Sequence, residues 1–277
     1  MGFELPSLPD PFVLTDQSFA GQAAYRATPT PRSITINPVQ KTLILFVAGQ
    51  SNWTNITPTL YTPTNSTVVS QMNIYDGAFY PIADNLLGSS YYQGTFGPGN
   101  ISARVADLLV TNGAFNSVIV VNFAVGSTPI ASWDSTGLLY NRGNVAMKRL
   151  AARGITPGTT GVTFGYLWGQ GESDKTAGTS QSAYATSLGQ VMSKMTASGF
   201  TGRFFICKET WISGAVSAAV QAAQVAAVDS VTVFSGGDLD SLNATNRQAD
   251  NTHFNDTGAS AAATIVYNAM HASGSPY

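Results

Sequence analysis

The sequence predicts an α/β fold, a doubly wound domain on a parallel sheet, and three observations carry that prediction. Five short apolar runs of strand length recur along the chain, helical patterns lie between them, and polar or glycine-rich segments follow the runs directly. The runs are Thr42 to Ala48, Ser117 to Phe123, Gly161 to Trp168, Arg203 to Lys208 and Val231 to Ser235. Each is nearly continuous in apolar residues, the pattern of a strand covered on both faces.

The helices are read from spacing. Ile101, Val105, Leu108 and Leu109 form one apolar face before Asn112-Gly113 stops it, and a second helix covers Asn144 to Ala152. Tyr184, Leu188, Val191, Met192 and Met195 form the next, ended by Gly199. Val216, Val220, Ala223 and Ala227 give an Ala-rich fourth, and Gly258 to His271 a fifth. Residues 1–40 read differently: five prolines between Pro6 and Pro31 with no periodicity describe an extended arm that lies over the domain or docks elsewhere, on another copy for example. Residues 41–277 form the one large domain, within which Thr54 to Gly99 is expected to be a long loop. Its Tyr75, Phe79, Tyr80, Tyr91, Tyr92 and Phe96 are placed either to stack on sugar rings or to pack the loop onto the body.

Composition excludes several classes. Charged residues make up 10% of the chain and the net charge is -2, with no basic run, so neither nucleic acid nor an anionic membrane is the expected partner. The surface must be built from Ser, Thr, Asn, Gln and Gly, a composition typical of secreted, cell-surface or virion-exposed proteins. One cysteine, Cys207, lies inside an apolar run and is expected to be a buried thiol; with two histidines it leaves too few soft ligands for zinc, and neither metal nor cofactor is expected. No run of about 18 apolar residues occurs and the N-terminus has no leader pattern, so membrane insertion is not expected.

In an open parallel sheet the ligand crevice lies beyond the carboxyl ends of the strands. Ser51, in Gly49-Gln50-Ser51-Asn52, follows the first run; Gly126 to Trp133 follows the second; Trp168 to Asp174 the third; Glu209-Thr210-Trp211 the fourth; and Asp250-Asn251-Thr252-His253 the fifth. A serine hydroxyl attacks a carbonyl poorly until an imidazole takes its proton, and the imidazole needs a carboxylate to fix its tautomer. Ser51, His253 and Asp250 supply these three types. Alone, Asp-x-x-His reads more readily as a capping turn with a surface histidine; the convergence of the other segments on one rim reverses that and favours the triad. Trp53 rules out the G-x-S-x-G elbow. His271, the other histidine, sits near a helix end with no carboxylate close in sequence.

These blocks resemble the SGNH hydrolase superfamily, in its sialate O-acetylesterase-like and acetylxylan-esterase-like branch of carbohydrate esterases. That branch carries GQSN, a G-G-T-x-I-x-x-W segment, W-x-Q-G-E-x-D and D-x-x-H, read here as Gly49 to Asn52, Gly126 to Trp133, Trp168 to Asp174 and Asp250 to His253. The resemblance implies a flavodoxin-like, three-layer α/β/α fold with a five-stranded parallel sheet of order 2-1-3-4-5. It implies Ser51 as nucleophile, His253 as general base and then acid, and Asp250 as its partner, with the oxyanion held by the Ser51 amide, a Gly126-Ser127 amide and the Gln170 side chain. Gln50, Asn52, Trp133 and Glu172 are candidate substrate contacts, and Glu172 is also expected to tether neighbouring loops. Ser127 departs from the branch's second glycine, and the insertion before Gly97-Pro98-Gly99 is unusually polar and aromatic. The implied activity is removal of O-acetyl groups from a carbohydrate. A glycan-binding or structural surface module with little turnover is the reading from another class, and a lipase or thioesterase of the wider superfamily a third.

Overall fold

A computed structural model describes residues 30–82, 86–91, 99–272 and 277. Its strands are β1 (Thr42–Gly49), β2 (Val69–Met72), β3 (Phe79–Pro81), β4 (Ser90–Tyr91), β5 (Ser117–Asn122), β6 (Val125–Gly126), β7 (Val162–Gly169), β8 (Arg203–Lys208) and β9 (Val233–Asp238). Its helices are α1 (Ile101–Thr111), α2 (Arg142–Ala152), α3 (Glu172–Ala177), α4 (Gln181–Ala197), α5 (Ala218–Ala226) and α6 (Asp256–Met270). Four of them start where a side chain supplies the missing acceptor: Asn100 for Ala103 N, Ser180 for Ala183 N, Ser217 for Val220 N and Asn255 for Gly258 N.

The main sheet has seven strands in the order β3-β2-β5-β1-β7-β8-β9, and all pair in parallel except β3, which runs antiparallel to β2. The five expected strands are β5-β1-β7-β8-β9, in the expected order; the expected total of five is corrected to seven. The two additional strands come from the segment expected to be a loop. Without them β5 would present a bare edge of N–H and C=O groups, and Val69, Ser70 and Gln71 cover it by pairing with Val118, Ile119 and Val120. Gly77 at φ +67 then helps turn the chain back into β3.

Side chains of β1 alternate between two cores, as a strand's period dictates. Leu43, Leu45 and Val47 face α1 and α6, whereas Ile44, Phe46 and Ala48 face α2, α4 and α5. Tyr75, Phe79 and Tyr80 are buried, so they pack the insertion onto the body. Tyr92, Phe96, the Tyr91 side chain and residues 1–29 of the arm lie outside the described residues. The arm's last part passes beside β3, with Arg32 N donating to Phe79 O at 2.8 Å and its guanidinium to Ser66 O and Thr67 O. Among the described residues no helix is long and apolar enough to cross a membrane.

The carboxyl ends of β1 and β7 approach more closely than side chains allow. Gly49 has φ +135, and a Cβ there would lie 1.8 Å from Gly169 O; a Cβ on Gly169 would lie 1.6 Å from Trp53 Nε1. Gly49→Ala is therefore expected to destabilise the protein by about 2–4 kcal/mol, from backbone strain plus overpacking. A denaturant midpoint equal to that of the parent chain contradicts this.

Candidate active site

β1 delivers Ser51 to the sheet's carboxyl edge. Gln50 N donates to Gly169 O at 3.0 Å, which continues the β1–β7 contact by one residue, and the chain then tightens into a single 3-10 turn over Ser51–Trp53. Thr54 closes that turn twice, donating to Ser51 O through its N–H (3.0 Å) and its hydroxyl (2.7 Å). From β5, Asn122 Nδ2 donates to Trp53 O at 2.8 Å.

His253 comes from the segment before α6. Asp250 Oδ1 accepts from the N–H groups of Thr252 (2.9 Å) and His253 (3.0 Å), with Asn251 at φ +51, so the carboxylate shapes its own turn. Asp250 Oδ2 lies 2.6 Å from His253 Nδ1, and His253 Nε2 lies 2.8 Å from Ser51 Oγ. With Nδ1–H donating to the carboxylate, Nε2 is left to accept from the serine hydroxyl. Burial opposes ionisation of Asp250, but hydrogen bonds from the His253 ring and from the His253 and Thr252 amides outweigh it and hold its pKa below the usual carboxylate range. His271 is elsewhere, its ring stacked on Tyr267 and its Nδ1 against Tyr277 O.

Asn52, beside the serine, is fully buried: its Nδ2 donates to Glu172 Oε1 at 2.9 Å and its Oδ1 accepts from Phe254 N at 3.2 Å. It thus joins the residue after Ser51 to the residue after His253. Trp53 Nε1 donates to Glu209 Oε2 at 2.6 Å. Burial raises both carboxyl groups, Glu209 to about 7, and the charge of Glu209 adds to the rise at Glu172. Arg247 closes this layer, stacking 3.8 Å over the Phe254 ring and donating to the carbonyls of Leu239, Leu242 and Thr252.

The expected oxyanion and substrate residues divide. Gly126 is buried at the end of β6, and Ser127 beside it is exposed at φ +58, the left-handed region in which glycine is the easier residue. Gln170 is fully buried, and its Nε2 lies against Gln50 Oε1 (3.1 Å), Thr128 O (3.0 Å) and Asp174 Oδ2 (2.5 Å). Three acceptors surround its two N–H groups, so this amide ties the neighbouring segments together beneath the serine turn. Asn52, Trp133 and Glu172, expected to touch substrate, are at most 3% exposed. Trp133 packs on Trp168 and Phe123 and donates to Thr128 Oγ1 at 3.0 Å. All three support the loops under the serine. Gln50, also buried, accepts from Gln170 and Ser173 N. Glu209 and Arg247 carry structural roles not drawn from the sequence; the signal available was an acidic residue directly after an apolar strand. Among the described residues no group of three or more His, Cys, Asp or Glu is gathered to hold a metal ion.

A parallel α/β domain with a serine, histidine and carboxylate in hydrogen-bonded series at its carboxyl edge has the framework of a serine hydrolase. The family profile "Carbohydrate esterase, sialic acid-specific acetylesterase" matches residues 41–271, and the chain belongs to that family. Among curated proteins none matches it significantly. Solved structures agree in fold: a protein from Arabidopsis thaliana is 15% identical, with TM-score 0.63, over 82% of this chain and 96% of that one. NanS is 13% identical, with TM-score 0.53, over 83% and 95%. A carbohydrate acetylesterase from Xanthomonas citri is 14% identical, with TM-score 0.50, over 82% of this chain and 55% of that one. At these identities the likeness is one of fold.

Removing the Asn52 side chain leaves a carboxyl group and the Phe254 N–H buried without partners. Asn52→Ala is expected to cost about 2–4 kcal/mol of stability; an unfolding free energy within about 0.5 kcal/mol of the parent's contradicts the tie.

Proposed function

We propose that this protein removes O-acetyl groups from a carbohydrate by serine catalysis through an acetyl-enzyme. The observation that carries the reading is the series Asp250 Oδ2 to His253 Nδ1 (2.6 Å) and His253 Nε2 to Ser51 Oγ (2.8 Å). Ser51 Oγ attacks the acetyl carbonyl carbon as His253 takes its proton, and Asp250 stabilises the imidazolium that forms. Backbone N–H groups of Ser51 and of the Gly126–Ser127 turn hold the oxyanion; each such donor is worth ~10²–10³-fold in rate because it meets charge that develops only in the transition state. His253 then gives the proton to the departing sugar oxygen, leaving acetyl-Ser51. A water deprotonated by His253 attacks this ester, acetate leaves, and Ser51 recovers its proton.

Membership in a carbohydrate esterase family supports the substrate class, and the likeness to a protein named as a carbohydrate acetylesterase is in keeping with it.

Acetate release from p-nitrophenyl acetate and from a panel of acetylated glycans, in the presence of a chelator, tests the proposal. Ser51→Ala is expected to lower kcat by on the order of 10⁴-fold with the fold intact. Equal, near-background rates for both proteins, together with tight glycan binding, contradict it and favour a binding module.

A further inference from the structure

Two carboxyl groups lie behind the serine turn, and among the described residues no cation forms an ion pair with either. Glu172 and Glu209 are both 0% exposed. Glu172 Oε1 accepts from Asn52 Nδ2 and Glu209 Oε2 from Trp53 Nε1. Two adjacent residues of the serine turn therefore hold one carboxyl each. One oxygen of each, Glu172 Oε2 and Glu209 Oε1, remains buried without a partner. Arg247, the guanidinium that acts on both, directs its N–H groups to backbone carbonyls instead.

We infer that Glu172 and Glu209 share one proton, carried by one orphaned oxygen and donated to the other, so that the pair bears one negative charge opposite Arg247. A single proton accounts for both orphaned oxygens at once. Two buried carboxylates side by side would each lose hydration and repel the other, and Arg247 offers one charge against two. The other groups that bear on the pair leave this balance in place. Asp240, after β9, is occupied by Thr210, Trp211 and Gln221. Burial keeps the Cys207 thiol on β8 and the Tyr184 hydroxyl on α4 neutral. Asp174 on α3 is held by Ile130 N, Gln170 and Thr179, and Asp250, which also acts on Arg247, is paired with His253.

The pair acts through its neighbours. Asn52 and Trp53 follow Ser51 directly, and Asn52 Oδ1 holds Phe254, so Glu172 and Glu209 are positioning residues for the Ser51–His253 contact. Loss of the shared proton sets two like charges beneath one turn and loosens that register, which gives kcat an alkaline limb. This kinetic consequence rests on the esterase reading; the proton itself does not.

Infrared spectroscopy of the whole, unliganded protein tests the inference. At about pH 8, above the range of an ordinary carboxyl group, the parent chain is expected to show the C=O stretch of a protonated buried carboxyl group. Glu172→Gln and Glu209→Gln are each expected to abolish it, because the new amide N–H replaces the shared proton and the remaining acid ionises. No such band in the parent, or a band that only one of the two substitutions removes, overturns sharing. The parent measurement decides the first point even where a variant does not fold. In kinetics, Glu172→Gln is expected to keep at least about a tenth of kcat and to lose the alkaline limb, while Glu172→Ala lowers kcat at least ~10-fold with KM little changed. An alkaline limb that persists unchanged in Glu172→Gln overturns the positioning role. An inactive parent with the band present would refute the esterase reading alone.

Discussion

The buried amide of Asn52 holds together two parts of the site that stand 202 residues apart in sequence. Its oxygen accepts from Phe254, the residue after the imidazole, and its nitrogen donates to Glu172, so the serine turn and the histidine segment share one rigid partner. A contact of 2.8 Å between Ser51 and His253 must survive thermal motion of two loops, and a loop held only at its own ends does not provide that. The close approach of Gly49 and Gly169 sets the height of the serine, and the Asn52 amide sets its direction. Everything polar under the rim follows from these two constraints, because each buried donor there needs an acceptor within the protein.

Two opposite electrostatic environments lie one layer apart. At the rim, Asp250 is partly exposed and receives three hydrogen bonds, which keep it ionised beside His253. One layer down, Glu172 and Glu209 are sealed from water and raised, and the side chains of Asn52 and Trp53, the Glu172 backbone amide and the charge of Arg247 temper them. Negative charge is therefore favoured next to the imidazole and disfavoured beneath the serine. The same residue type plays both parts; solvent and donor count make the difference.

Much of this was legible in the sequence. Continuous apolar runs gave the five central strands, since a strand covered on both faces has no polar side to conceal it, and the spacing of Leu188, Val191 and Met195 gave α4. The rule that chemistry gathers at the carboxyl ends of parallel strands located Ser51, Gly126, Gln170 and Asp250 on one edge. β2 and β3 were not legible: Val69–Met72 carries Ser70 and Gln71 at its centre, and only the bare edge of β5 makes it a strand. Burial of Asn52, Trp133 and Glu172 was hidden for a related reason. Polar residues in a motif look like substrate contacts until the buried partner of each is known; for Asn52 and Glu172 those partners, Phe254 and Asn52 itself, come from distant segments, and for Trp133 the partner is Thr128 of its own segment. Gln170 shows the same limit, because two of its three acceptors, Gln50 and Thr128, arrive from other segments.

Direct observation of the covalent intermediate tests the central claim that Ser51 is the acylated nucleophile. The protein would be mixed with p-nitrophenyl acetate, quenched in acid within the first turnover and digested for mass spectrometry. The account predicts one acetyl group, on the peptide that carries Ser51, which decays as acetate appears and is lacking in Ser51→Ala. Turnover with no acetylated peptide, or with the acetyl group on another residue, would contradict it.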